Sequence, residues 1–150
     1  MQETVSTRAP MHVWIVGILS LLWNCFGGYD YWMTRTRNTD YLTSAMPSVD
    51  PKALLAWIDS MPIFVQIGWP IGVWGALLGS VLLLMRSRYA VWAFGASLLG
   101  AIVALGYEAL VAPKLAGAGP MANIMPLFII VVAAFLFWYA RAMAARGVLR

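Results

Sequence analysis

The sequence predicts an all-α fold, an integral membrane four-helix bundle that occupies residues 1–150 as a single domain. Hydrophobic residues make up 62% of the chain and charged residues only 11%, a balance that soluble domains of 150 residues rarely show. Four stretches contain no Asp, Glu, Lys or Arg: 13–29, 62–85, 89–107 and 115–140. A helix of about 20 residues crosses the roughly 30 Å hydrocarbon core, whereas a spanning barrel would show shorter segments of alternating polarity.

The predicted spans cover about residues 13–33, 62–85, 89–112 and 120–140. A short helix over about 50–60 is predicted between the first two spans. Asp50 is typical of an N-cap, Pro51 suits the first helical position, and Pro62 marks the end. Because its apolar residues gather on one side, we expect this helix to lie on the outer membrane surface as an anchored connector. The alternative is that it covers a site as a lid.

Basic residues predict the orientation of the chain. The side that holds both termini carries Arg8, Arg86, Arg88, Arg141, Arg146 and Arg150, whereas the opposite side carries Arg35, Arg37, Lys52 and Lys114. Cytoplasmic loops have an excess of Lys and Arg close to span ends, so we expect both termini in the cytoplasm. The net charge of +4 is explained by basic ends beside anionic lipid, and it predicts no nucleic-acid partner.

Small residues predict how the helices meet. The second span carries Gly68, Gly72, Gly75 and Gly79 on one face, a spacing that lets a neighbouring backbone approach closely. Comparable faces are predicted from Gly17, Ser20, Asn24, Gly28 and Tyr31 on the first span, and from Ala93, Ser97, Gly100, Ala104 and Glu108 on the third. Gly27, next to Gly28, is also predicted to pack. Helix association is the favoured interpretation of these faces, and the lining of a narrow cavity is the alternative.

Polar residues form a predicted layer near the outer ends of the spans. At a rise of about 1.5 Å per residue, Asp30 and Glu108 lie at a similar depth, and Gln66 lies roughly 6 Å inside the second span. The hypothesis is an outward-opening vestibule that binds a ligand through Asp30, Glu108, Gln66 and Asn24, with Arg35 or Arg37 neutralising an acid. The alternative is that both acids only reach the outer interface or pair with arginines.

The sequence contains few residues in patterns that could support catalysis. The only histidine, His12, lies at the inner edge of the first span, and the only cysteine, Cys25, lies in its outer half, so the two cannot form a catalytic pair. No zinc-binding spacing, HExxH or CxxC motif occurs, and the glycines of the second span lack the lysine and strand of a phosphate-binding loop. We therefore expect no enzyme activity, no metal and no cofactor.

Two segments carry a more specific pattern. The first contains Trp23-Asn24, Gly27-Gly28, Asp30-Tyr31, Met33-Thr34, Arg37-Asn38 and Tyr41, and the second is "VWGALLGSVLLLMRSRYAVWAFGASLLG" at 73–100. Together they resemble a family of small four-span bacterial inner-membrane proteins of uncharacterised activity, sometimes labelled automatically as sugar transporters. The resemblance implies a multi-pass protein of the bacterial inner membrane, with no catalytic residues to transfer. Small multidrug transporters also have four spans, but they use a glutamate deep in the first span, where this chain has Asn24.

Two functions remain open. The chain is either an accessory subunit of a larger membrane complex or a small-solute binding or transport protein with an outward-facing polar vestibule. A transport route needs polar groups through the inner half, where "GALLGSVLLLM" and "VVAAFLF" offer almost none, so the accessory function is favoured. The partners expected in either case are the lipid bilayer and a second copy of the chain or a larger complex.

Overall fold

The structure, a computed structural model, describes residues 9–150, and the regular elements of that range are all helices. In chain order they are α1 (Met11–Arg35), α2 (Thr39–Ala45), α3 (Pro51–Asp59), α4 (Ile63–Leu84), α5 (Ala90–Leu110) and α6 (Met121–Ala145). Helices α1, α4, α5 and α6 are each long and apolar enough to cross a membrane. The chain is a multi-pass membrane protein, and the predicted all-α four-helix bundle is confirmed. Arg8, counted above on the side of the termini, lies outside the described residues.

Polar caps set the starts of the two short helices. The Asp50 carboxylate accepts a hydrogen bond of 3.1 Å from the Lys52 N–H, and Pro51 occupies the first helical position of α3. Asn38 caps α2 in the same way by accepting from the Tyr41 N–H at 2.9 Å. The sequence analysis did not predict α2, because its seven residues are too few to show an apolar period. The position of α3 at the membrane surface stays a prediction.

The four long helices pack in the order α1, α4, α5, α6, with α4 and α5 as the central pair. Helices α1 and α6 are not among the pairs with extensive backbone contact. The side of the bundle where α1 begins and α6 finishes is called the terminal end. The opposite side, which carries α2 and α3, is called the loop end.

Glycines bring the backbones of α4 and α5 into contact. A Cβ atom at Gly100 would lie 2.5 Å from the Gly68 carbonyl oxygen and 2.6 Å from the Gly72 nitrogen. A Cβ at Gly75 would lie 3.1 Å from the Ser97 nitrogen. Larger side chains at these positions would push the helices apart, so the small residues on both helices are needed for this contact.

Small residues on α1 receive leucine side chains from α4. The buried face of α1 contains Gly17, Ser20, Asn24 and Gly28. Leu84 occupies the space where a Cβ on Gly17 would lie, and Leu77 does the same at Gly28. The α1–α4 contact is therefore made by side chains entering small-residue gaps, whereas the α4–α5 contact is made by backbone.

An apolar cluster and the C-terminal residues close the terminal end. Each long helix contributes at least one almost fully buried side chain there, for example Val13, Leu83, Phe94 and Leu136. The His12 Nδ1 atom and the Tyr139 hydroxyl lie 2.6 Å apart and connect α1 to α6. The Arg150 N–H donates to the Arg86 carbonyl oxygen at 2.7 Å, which ties the C-terminal residues to the turn between α4 and α5.

Large apolar side chains point away from the bundle. Exposed examples from the long helices are Trp14, Ile18, Leu22, Phe26, Leu99, Ile124 and Trp138. So many exposed apolar side chains would promote aggregation in water, but they suit a lipid environment. Small residues therefore make the close helix contacts, whereas many of the large apolar side chains face the surroundings of the bundle.

Replacing Gly100 with alanine should destabilise the bundle, because the added methyl group would meet the backbone of α4. Overpacking of this kind costs about 1–3 kcal/mol. Gly106→Ala is the matched control on the same helix, since a Cβ there meets no atom within 4 Å. Unfolding by SDS in mixed micelles, followed by circular dichroism, should show a loss for Gly100→Ala only. Equal stability of the two variants would contradict the backbone contact.

Candidate functional site

A cavity of about 720 Å³, the main cavity, lies between the four long helices. Its lining includes Asn24 of α1, Gly72 of α4, Ser97 of α5 and Ile129 of α6. Most of the lining is apolar, and it extends toward the terminal end as far as Phe94, which is almost fully buried. Cavities of about 300–1,000 Å³ with apolar walls and a few polar groups are typical of small-molecule sites.

A second cavity of about 280 Å³, the loop-end cavity, adjoins the main cavity. Asp30, Trp69 and Ile129 line both. Glu108 and Gln66 line the loop-end cavity only. The structure therefore gathers three residues of the predicted polar layer, on three different helices, around one space.

The short helices α2 and α3 cover the loop-end cavity. Leu54 and Trp57 of α3 line it. The Trp57 Nε1 atom donates to the Pro113 carbonyl oxygen at 2.8 Å, which attaches α3 to the segment after α5. Arg37 and Asp59 form an ion pair at 3.0 Å that joins the end of α1 to the end of α3. Helices α2 and α3 thus line the space around the polar layer, and the outward opening of this space stays a prediction.

A tyrosine of α2 holds Asp30. The Tyr41 hydroxyl donates to Asp30 Oδ1 at 2.7 Å and links α2 to α1. Burial, and then this hydrogen bond to a carboxylate, raise the pKa of Tyr41, because both favour the neutral phenol. The sequence analysis missed this partner, since Tyr41 lies on the helix that it did not predict.

Glu108 has no comparable partner. Within residues 9–150 its half-buried side chain makes no hydrogen bond and no ion pair. No Lys, Arg or His is among the described residues that line either cavity. Arg35, predicted to neutralise an acid, is exposed and instead donates to the Gln66 Oε1 atom at 3.5 Å.

Asn24 joins α1 to α4 in the middle of the bundle. Its side-chain N–H groups donate to Ser80 Oγ at 2.9 Å and to the Ala76 carbonyl oxygen at 3.2 Å. Ser97 acts similarly between the central helices, because its hydroxyl donates to the Gly72 carbonyl oxygen at 2.6 Å. Both side chains line the main cavity, but their donor groups are used within the protein.

The predicted packing glycines take three different positions. Those of the second span, Gly68, Gly72, Gly75 and Gly79, all lie against α5. Gly28 lies under Leu77 of α4. Gly27 differs from the packing prediction, because a Cβ there would meet no atom within 4 Å and the residue lines the main cavity.

Metal binding finds no support in the part of the chain that the structure describes. Among residues 9–150, no group of three or more His, Cys, Asp or Glu side chains is placed to hold a metal ion. The chemistry that the two cavities can offer is therefore that of a largely apolar space with carboxylates near one end.

Removing the Tyr41 hydroxyl should destabilise the fold, because the Asp30 carboxylate loses a hydrogen-bond donor. A part-exposed hydrogen bond of this kind is worth about 1 kcal/mol, the loss we expect for Tyr41→Phe in SDS unfolding near neutral pH. In a double-mutant cycle with Asp30→Asn, the two losses should be clearly non-additive. Additive losses would show that the two side chains act independently.

The raised pKa of Tyr41 predicts a pH dependence. On raising the pH, the unfolded chain loses this phenolic proton first, near pH ~10, so the unfolded state binds fewer protons and stability falls. Tyr41→Phe removes this contribution, and its unfolding free energy should decline less steeply with alkaline pH than that of the wild type. Parallel declines would be evidence against the raised pKa.

Comparison with known proteins gives no match to a family model, to a curated protein or to a solved structure.

Proposed function

We propose that this chain binds a small, membrane-soluble molecule inside its four-helix bundle, as a binding or transport protein. The main cavity carries the proposal, since its volume is about 720 Å³ and all four long helices line it. The lining atoms of this open cavity lack the van der Waals partners that packed side chains have in a protein interior. A bound molecule would restore those contacts and stabilise the bundle.

The gap between α1 and α6 supports access from the bilayer. Phe26 of α1 and Met125 of α6 both line the main cavity, and they are 65% and 39% exposed on the surface of the bundle. Residues that face both a cavity and the lipid mark an opening between the two. Trp23 and Phe128 meet edge to face across the same gap with ring centroids 5.8 Å apart, so aromatic side chains partly close it.

The glycine face of the second span is not available to a partner of an accessory subunit. Gly68, Gly72, Gly75 and Gly79 pack against α5 of the same chain. The lack of polar groups in the inner half does not speak against transport of a membrane-soluble ligand, because such a ligand does not need polar groups along that part of its route. Both points favour ligand binding.

The setting of this function is part of the proposal. We place the chain in the bacterial inner membrane with both termini in the cytoplasm, as a homo-oligomer that acts without catalysis. The resemblance to small four-span bacterial inner-membrane proteins supports this location. Among the described residues, the terminal end carries five arginines and the loop end carries four basic residues. This excess of positive charge supports cytoplasmic termini.

A cavity-filling variant tests the proposal. Ala133 lines the main cavity, whereas Ala134, the next residue of α6, is exposed and does not line it. Ala133→Phe should lower the occupancy of any co-purifying small molecule about tenfold, equivalent to about 1.4 kcal/mol, and Ala134→Phe should leave it unchanged. Native mass spectrometry of protein released from lipid nanodiscs measures this occupancy.

Both variants are first compared with the wild type by circular dichroism and size-exclusion chromatography, so that only folded protein enters the measurement. If the wild type carries no small molecule, or if the two phenylalanine variants carry it equally, the main cavity is not a binding site.

A further inference from the structure

We propose that the ligand of this bundle is a cationic amphiphile, with an amine head in the loop-end cavity and an apolar chain in the main cavity. This inference rests on the proposed binding function and adds the chemical class of the ligand.

The charge of the lining favours a cation. Asp30 and Glu108 are the charged residues among the described residues that line the loop-end cavity, and both are acids. An ionised carboxylate in apolar surroundings is costly unless a positive or hydrogen-bonding group faces it. One carboxylate oxygen of Asp30 accepts a hydrogen bond from the Tyr41 hydroxyl, and Glu108 makes no hydrogen bond or ion pair within residues 9–150.

Among the described residues, no basic side chain forms an ion pair with either acid. Arg37 pairs with Asp59, and Arg35 donates to Gln66. Lys114 attracts Glu108 electrostatically, but its ammonium donates to the Ala109 carbonyl oxygen at 3.1 Å. These three bases line neither cavity. The positive charge that complements the two acids is therefore best supplied by a bound molecule, and an ammonium group can donate hydrogen bonds to both carboxylates.

The charged groups are confined to one end of the combined space. At the terminal end the main cavity is bounded by Phe94 and Leu136, and the donors of Asn24 and Ser97 nearer its middle are used within the bundle. A ligand with many hydroxyl groups would leave most of them without partners, which is costly. A molecule with one polar end and one apolar chain matches this distribution.

An amphiphile can also reach the cavity directly. It already partitions into the bilayer, with its charged head at the interface and its chain among the lipid tails. The gap between α1 and α6, bordered by Phe26 and Met125, connects that environment to the main cavity. The ligand would enter sideways, so no water-filled route through the terminal end is required.

Photolabelling with three matched probes tests the class of ligand. The probes share one medium-length alkyl chain with a diazirine and differ only in the head: a primary amine, an alcohol or a carboxylate. The wild-type protein is labelled in phosphatidylcholine nanodiscs, labelled residues are mapped by mass spectrometry, and yields are normalised to the lipid content of each probe. The amine should label residues of the main cavity at least about tenfold more than the carboxylate, which corresponds to about 1.4 kcal/mol.

Charge-neutral variants identify the residues responsible. Asp30→Asn and Glu108→Gln should each lower amine labelling severalfold, and Glu108→Asp should retain most of it. Asp40→Asn is the matched control, because Asp40 is an exposed acid of α2 that lines neither cavity. Its labelling should equal that of the wild type.

The outcomes separate the two proposals. If the alcohol or the carboxylate labels the cavity as well as the amine, or if the neutral variants label normally, the cationic class is wrong while the binding function stands. If no probe labels the cavity and Ala133→Phe has no effect on occupancy, the binding function fails and this inference fails with it.

Discussion

Backbone contact between α4 and α5 determines the arrangement of this bundle. In lipid there is little hydrophobic drive for helices to associate, so close packing and hydrogen bonds must hold them together. The close approach at Gly100, Gly68 and Gly72 supplies the packing, and the Ser97 hydroxyl adds a hydrogen bond between the same two helices. Helices α1 and α6 attach to different members of this pair. Because they do not close on each other along their length, a cavity remains between them.

Inside the bundle, polar groups are used to connect helices. Asn24 bonds to α4, Ser97 bonds to α4, and the Tyr41 hydroxyl bonds to Asp30 of α1. Among the described residues, no fully buried side-chain nitrogen or oxygen lacks a hydrogen-bond partner. Glu108 makes no hydrogen bond within residues 9–150, so its carboxylate oxygens are not among the fully buried atoms and stay accessible from the loop-end cavity. The polar side chains of Asn24 and Ser97, in contrast, donate their hydrogen bonds to neighbouring helices.

The sequence predicted the parts of the structure that follow from helical periodicity and composition. The spans follow from charge-free stretches, and the packing faces around Gly72 and Ser97 follow from small residues at helical spacing. The rise per residue also predicted that Asp30 and Glu108 lie at the same depth. The sequence could not predict the cavity, because a cavity depends on the distance between two helices. It could not find the Tyr41–Asp30 bond either, since that bond requires the turn of the chain that places α2 against α1.

The cover over the loop-end cavity is fastened differently from the bundle beneath it. Arg37 and Asp59 are about half exposed, with 58% and 50% of their side-chain surface accessible, and Trp57 contributes a single hydrogen bond to Pro113. Exposed ion pairs contribute little stability and are weakened by salt. Leu42, Val49 and Leu54 add a small apolar cluster within this cover. Small surface segments open locally at a lower free energy than the packed core. Opening of α2 and α3 would expose the space below them to water, and salt should favour it because salt weakens the Arg37–Asp59 pair.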